Sequence, residues 1–188
     1  MHDFATFILL PDWKPPIFHG KTVRSNISQS LWRKKIRQSL LESHNFTCCI
    51  CKHSELKENS RKLHAHEVEE YDLDKFVCHL QDIQLLCAKC HAFSHFQLTL
   101  ARATPEQIID LENHFIQVNN CKREDLRKYL CLKRKREIEI TKELYARLGI
   151  QNVIRRVNYK VKFKVNERVP FYNEIVIHLK NKNLLYEV

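Results

Sequence analysis

The sequence predicts a mixed α+β fold, with a small strand-strand-helix unit framed by cysteines and a basic extension of helices and a small sheet. Three observations predict it. Two C-x-x-C pairs, Cys48/Cys51 and Cys87/Cys90, bracket a stretch with strand alternation. Apolar residues recur at helical spacing over 29–43 and 104–120, and a more basic helix follows over 122–148. The period then changes to two over 157–165. These features divide the chain into an N-terminal arm (1–28), the cysteine-framed unit (29–100) and the extension (101–188).

The arm carries Pro11, Pro15 and Pro16 and reads as irregular, with room for one short strand over 4–10. Residues 29–43 form a helix whose Trp32, Ile36 and Leu40 share a stripe. Residues 62–68 alternate as a strand, which puts His64 and His66 on one face. A short helix begins near Cys90 and places His91 and His95 four apart on one side. Thr104-Pro105 opens the next helix, with Thr104 as cap and Pro105 in the first turn, and Asn119-Asn120 closes it. A long basic helix spans 122–148 and stops at Gly149. Beyond it, 157–165, 175–179 and 184–188 read as three strands, with 180–183 as the turn between the last two.

At 188 residues, 44% hydrophobic and 10% aromatic, the chain can bury a core. Two glycines exclude a Gly-rich phosphate loop or a dinucleotide-binding turn. No apolar run is long enough to span a bilayer, so no membrane partner is expected. Residues 1–10 lack the basic start and cleavage site of a secretion signal, which predicts a cytoplasmic chain and eight reduced cysteines.

Lys and Arg outnumber Asp and Glu by ten. Residues 1–120 are neutral, with 14 of each, and 121–188 carry the whole excess. Such a segment suits a polyanion, DNA first among them, or forms a solvated basic surface. The candidate phosphate contacts are Arg123, Arg127, Lys133, Arg134, Lys135, Arg136, Lys160, Lys162 and Lys164. The run 133–136 also reads as a solvated helix face, and the row of Lys160, Lys162 and Lys164 as edge-strand protection.

Each C-x-x-C pair can grip one side of a tetrahedral Zn²⁺, so Cys48, Cys51, Cys87 and Cys90 predict a structural zinc site. The alternative is two clusters of buried free thiols. Cys49 competes with Cys48 through a one-residue slip, while Cys78, Cys121 and Cys131 have no partner at ligand spacing. His64, His66, His91 and His95 add four imidazoles at ligand spacing between and beside the pairs.

On these residues the stretch from Cys48 to His95 resembles the HNH endonucleases, whose ββα-metal fold is here framed by a four-cysteine zinc ribbon. It is particularly similar to bacterial and phage members with a tryptophan-bearing helix (Trp32), a His-Glu-Val followed by Tyr-Asp (His66 to Val68, Tyr71-Asp72) and a final C-x-x-C-H (Cys87 to His91). The likeness covers about a third of the chain, roughly residues 31–95. It implies metal-dependent hydrolysis of DNA to 5′-phosphate and 3′-hydroxyl ends. His66 would be the general base, and His91 and His95 would hold a catalytic divalent ion such as Mg²⁺, Mn²⁺, Ni²⁺ or Zn²⁺.

Two positions depart from the family pattern. Ala65 stands where an Asp ligand is common, and His64, on the face of His66, is the substitute. Asp82 stands where an Asn helps orient the base. Glu67 alternates away from His66, as an indirect support or a solvent-facing group. The departures define the alternative: a decayed HNH or zinc-ribbon protein that retains only nucleic-acid or protein binding.

Overall fold

The alternating apolar residues after Lys62 form the central hairpin. In the computed structural model, which describes residues 4–150 and 159–187, β1 (Leu63–Asp72) pairs antiparallel with β2 (Val77–Cys87). Asp72 shapes the turn, its Oδ1 accepting from the backbone N–H of Asp74 and Lys75, both at 2.9 Å. The register sets His64 opposite Leu86 and His66 opposite Gln84, with a bulge between Val68 and Glu69. A third strand, β3 (Lys162–Val165), runs parallel to β2, giving the order β1-β2-β3.

Helices cover this sheet. A π-helical segment, Leu31–Ile36, runs into α1 (Arg37–Ser43), and the joint buries Trp32, Ile36 and Leu40. Directly after β2 come α2 (Ala88–Ser94) and α3 (Phe96–Leu100). The expected cap opens α4 (Pro105–Asn119): the Gln107 N–H donates to Thr104 Oγ1 and the Thr104 N–H to Gln107 Oε1. Asn120 ends α4 at φ 46°, and Gly149 follows α5 (Arg123–Arg147) at φ 65°.

The core is continuous from the arm to the extension. Phe7 from the arm meets Phe115 of α4 at 5.2 Å between centroids, and Phe115 stacks on Phe93 of α2 at 4.7 Å. Leu126, Leu144, Phe163 and Ile175 are buried in the same cluster. Each such side chain contributes about 1.5–3 kcal/mol of burial. The arm is thus fixed to the body, and that fixes where its polar residues fall. Among the described residues no helix is long and apolar enough to cross a membrane.

Three expectations of the sequence are corrected. Residues 175–179 are not a strand but part of α6 (Tyr172–Asn181). Ile175 and Leu179 are one helical turn apart, and both are buried on the face turned inward. A short apolar run fits either period, and tertiary packing decided for the helix. Residues 184–187 contribute one parallel bridge, Leu185 to Phe163, rather than a full strand, and residue 188 lies outside the described residues. In the arm, Phe4–Thr6 is a 3-10 turn, not a strand. Of the expected strand over 157–165, residues 157 and 158 also lie outside the described residues, and pairing begins at Lys162.

Candidate functional site

Two separate groups of ligand-type side chains form, both drawing on α2. The first joins the two cysteine pairs. Cys48 and Cys51 sit on a tight turn closed by Cys48 N–H to His53 O at 2.8 Å, with Lys52 at φ 62°. Cys87 caps α2 and Cys90 lies in its first turn. The Sγ atoms of Cys48, Cys51, Cys87 and Cys90 all lie within 4.8 Å of one another, so the four thiols can hold one metal ion such as Zn²⁺. Three of the four residues are buried.

The slip to Cys49 does not occur. Cys49 N–H donates to Leu85 O on β2, and its Sγ lies beside the His44 ring, outside the group. Cys78 is buried in the core, where burial raises its thiol well above the ordinary range. Within the four, hydrogen bonds from Cys87 and Cys90 pull the Cys48 thiol far down. The same bond pushes Cys87 up to about 12, and Cys90 is raised by its bonds to both neighbours. One thiolate therefore shares the protons of its neighbours until a cation replaces them. His114 of α4, which the sequence did not single out, places Nε2 3.2 Å from Cys90 Sγ. It is placed to support a ligating sulfur from outside the ligand shell.

The second group is built of imidazoles. β1 supplies His66, which is buried, and α2 with its C-cap supplies His91 and His95. Ligand nitrogens of these three lie within 4.8 Å of one another. The rings meet edge to face, His66 to His95 at 5.0 Å and His91 to His95 at 4.8 Å between centroids. His64 lies outside this triad, stacked flat on His91 at 4.6 Å. Burial, followed by the neighbouring imidazoles, lowers His91 to about 3. Burial also lowers His64 and His95. These rings are therefore neutral near pH 7, the form in which imidazole ligates through its unprotonated nitrogen.

A carboxylate that the sequence did not single out lies against the group. Asp12 Oδ2 lies 3.0 Å from His66 Nε2 and 4.0 Å from His95 Nδ1. Its placement follows from how the arm is held. Phe7 and Leu9 are buried in the core, and the Asn119 side chain at the end of α4 accepts from the N–H of Ile8 and Leu9 and donates to Leu9 O. Asp12 N–H then donates to Ser94 O at the end of α2, at 2.8 Å. No local motif marks Asp12, because the contact joins residues far apart in the chain.

In front of the imidazoles lies a cavity of about 190 Å³, lined among others by Asp12, Arg24, Glu67 and His91. Glu67 is half-buried rather than solvent-facing, and burial with the nearby Glu69 charge raises its carboxyl to about 7. Asp82 is not among the residues lining this cavity. Its exposed carboxylate accepts from its neighbour's N–H, Ile83, at 2.8 Å.

The basic candidates of the extension divide. Arg123 is tied to Glu112 and Asn113, and Lys133 pairs with Glu137 at 3.1 Å. Lys162 donates to Asn183. Arg127, Arg134, Lys135, Arg136, Lys160 and Lys164 are exposed. No protein-family model, no curated protein and no solved structure matches the chain.

Proposed function

We propose that the protein is a metal-dependent endonuclease of the HNH type that hydrolyses DNA phosphodiester bonds to 5′-phosphate and 3′-hydroxyl ends. The supporting observation is the convergence of His66, His91, His95 and Asp12 on one small cavity, beside a four-thiol group able to brace the strands and helix that carry them.

The residues divide the chemistry between them. A carboxylate only accepts, so His66 Nε2 carries the proton shared with Asp12, and the lone pair of the neutral ring is at Nδ1. Nδ1 then takes the proton of the attacking water, while Asp12 holds the ring's orientation and stabilises the imidazolium. His91 and His95 would hold a divalent ion through their unprotonated nitrogens. Such an ion, when bound, neutralises charge on the phosphoryl and leaving oxygens. Asp12 thus brings a carboxylate to the imidazoles from the arm, as the partner that orients His66 and not as the ligand missing at Ala65.

Asp82 favours the second reading, a nucleic-acid-binding or regulatory protein with a decayed site, because its exposed carboxylate accepts from the Ile83 N–H and does not line the imidazole cavity. Plasmid cleavage by wild type and His66→Ala across Mg²⁺, Mn²⁺, Ni²⁺ and Zn²⁺ separates the two. The nuclease reading expects cleavage that His66→Ala abolishes. Tight DNA binding with no cleavage under any ion establishes the second.

A further inference from the structure

The sequence placed the phosphate contacts in the extension, but a second concentration of positive charge lies against the imidazoles. A cavity of about 470 Å³ is lined by Arg24, Arg33, Arg37 and Arg61 together with Trp32, His64, Ala65 and His91. It shares Arg24, Ala65 and His91 with the cavity before the imidazole triad, so the two spaces adjoin. Among the described residues no carboxylate lines it. Among the described residues none of the four guanidinium groups is in an ion pair, whereas Lys14, Lys35, Lys89, Arg123 and Arg147 all are.

The four arginines are placed by the fold. Arg24 lies over the Trp32 ring, 5.2 Å from its centroid, and its backbone N–H donates to Glu67. Arg37 anchors through one nitrogen to the carbonyls of Ser60 and Leu63, at 2.6 and 3.1 Å. Carbonyl partners fix a guanidinium without neutralising it. Arg33 and Arg61 are exposed at the rim. Four like charges around one concavity repel one another unless an anion occupies it. The forked donors of arginine match phosphate oxygens in pairs.

We propose that this cavity is a cradle for the DNA backbone, holding the phosphates that flank the one presented to His66 and His91. The inference rests on the nuclease reading for its account of the adjoining site. It assigns the main phosphate contacts to Arg33 and Arg61, with Arg24 and Arg37 behind them, rather than to the exposed face of α5.

The test is binding of a short fluorescent DNA duplex by the full chain over a range of salt concentrations. The variants are R33Q/R61Q and, as a control of equal charge change, K135Q/R136Q on α5. The arginine pair should weaken binding at least tenfold and reduce the slope of log K against log salt by about 2, near 0.9 per phosphate contact. The α5 pair should change the slope by less. Equal losses in both variants reduce the effect to net charge and overturn the cradle, as does an unchanged R33Q/R61Q slope or a wild type that binds no duplex. Far-UV circular dichroism and melting check that both variants fold. Cleavage is scored separately. Salt-dependent binding lost in R33Q/R61Q without any wild-type cleavage leaves the cradle standing and removes the nuclease reading. Cleavage by a variant that binds like wild type does the reverse.

Discussion

The thiol group and the imidazole group both draw ligand-type side chains from α2 and from an element packed against it, yet they are finished differently. Cys48, Cys51, Cys87 and Cys90 form a closed set of four, three of them buried, with His114 adding support from outside. His66, His91 and His95 form an open set of three facing a cavity, with a carboxylate on one member. A complete protein shell suits a metal that holds the fold, and an incomplete one leaves room for a reacting molecule. Substitutions should therefore split stability from activity along this line.

The largest effect is expected at the thiols. Replacing Cys87 or Cys90 with Ser should abolish stoichiometric zinc and unfold the region joining β2 to α2, because metal binding there is part of the folding free energy, of order 10 kcal/mol for structural sites. Elemental analysis with melting curves in the presence and absence of chelator measures it. A zinc-free protein that melts unchanged in chelator would make the thiol group a cluster of ordinary buried cysteines.

His66→Ala should leave melting temperature and zinc content near wild type while the cleavage rate falls about 10²- to 10⁴-fold, the usual contribution of a general base. His91→Ala should instead weaken binding of the second ion as well, since it removes a ligand. Fold loss in His66→Ala would erase the contrast between the groups.

Much of this contrast was legible in the sequence. Spacing alone identified the four thiols and paired His91 with His95, because C-x-x-C and i/i+4 are local geometry. Thr104, Asn120 and Gly149 marked helix ends through capping chemistry that acts within a few residues. Ile175 and Leu179 were misread because a run of five residues carries no decisive period. The arginine cavity went unseen for a different reason. Arg24, Arg33, Arg37 and Arg61 lie on a 3-10 turn, a π-helical segment, α1 and the approach to β1, and they belong to a segment of zero net charge. Summed charge cannot reveal that acidic residues stay away from one concavity.

The pH dependence of metal loading should differ between the groups. Cys87 and Cys90 are each raised first by a hydrogen bond to Cys48 and hold protons at neutral pH. A cation must expel them, so apparent zinc affinity should rise with pH, about tenfold per unit for each proton released. His91, lowered to about 3 by burial, and His95, lowered likewise, have no proton to expel near pH 7. Loading of the imidazole group should therefore be nearly flat from pH 7 to 8, with little proton release. Calorimetric titration in buffers of different ionisation enthalpy counts the protons for each group. Equal counts at both would sink the distinction.

The smallest expected effect concerns Asp12, and it bears most directly on how the open group works. Asp12 reaches the imidazoles from the arm through a chain of contacts: Phe7 and Leu9 in the core, Asn119 clamping the backbone at residues 8 and 9, and the Asp12 N–H on Ser94 O. Its side chain is about half exposed, so losing the carboxylate removes little packing. Asp12→Asn keeps the shape and the backbone bond but replaces the charge that fixes the proton on His66 Nε2. The cleavage rate should fall about 10- to 100-fold, the range seen when a partner outside the ligand shell is lost. Melting temperature, zinc content and binding of the second ion should stay near wild type. Losing that ion together with the rate would make Asp12 a ligand in its own right. Asn119→Ala offers an independent route to the same residue, since it frees the arm while leaving the carboxylate intact. It should lower the rate in the same direction and also lower the melting temperature, because three hydrogen bonds to the arm's backbone are lost. Full activity in both variants would show that the imidazole group functions without the arm.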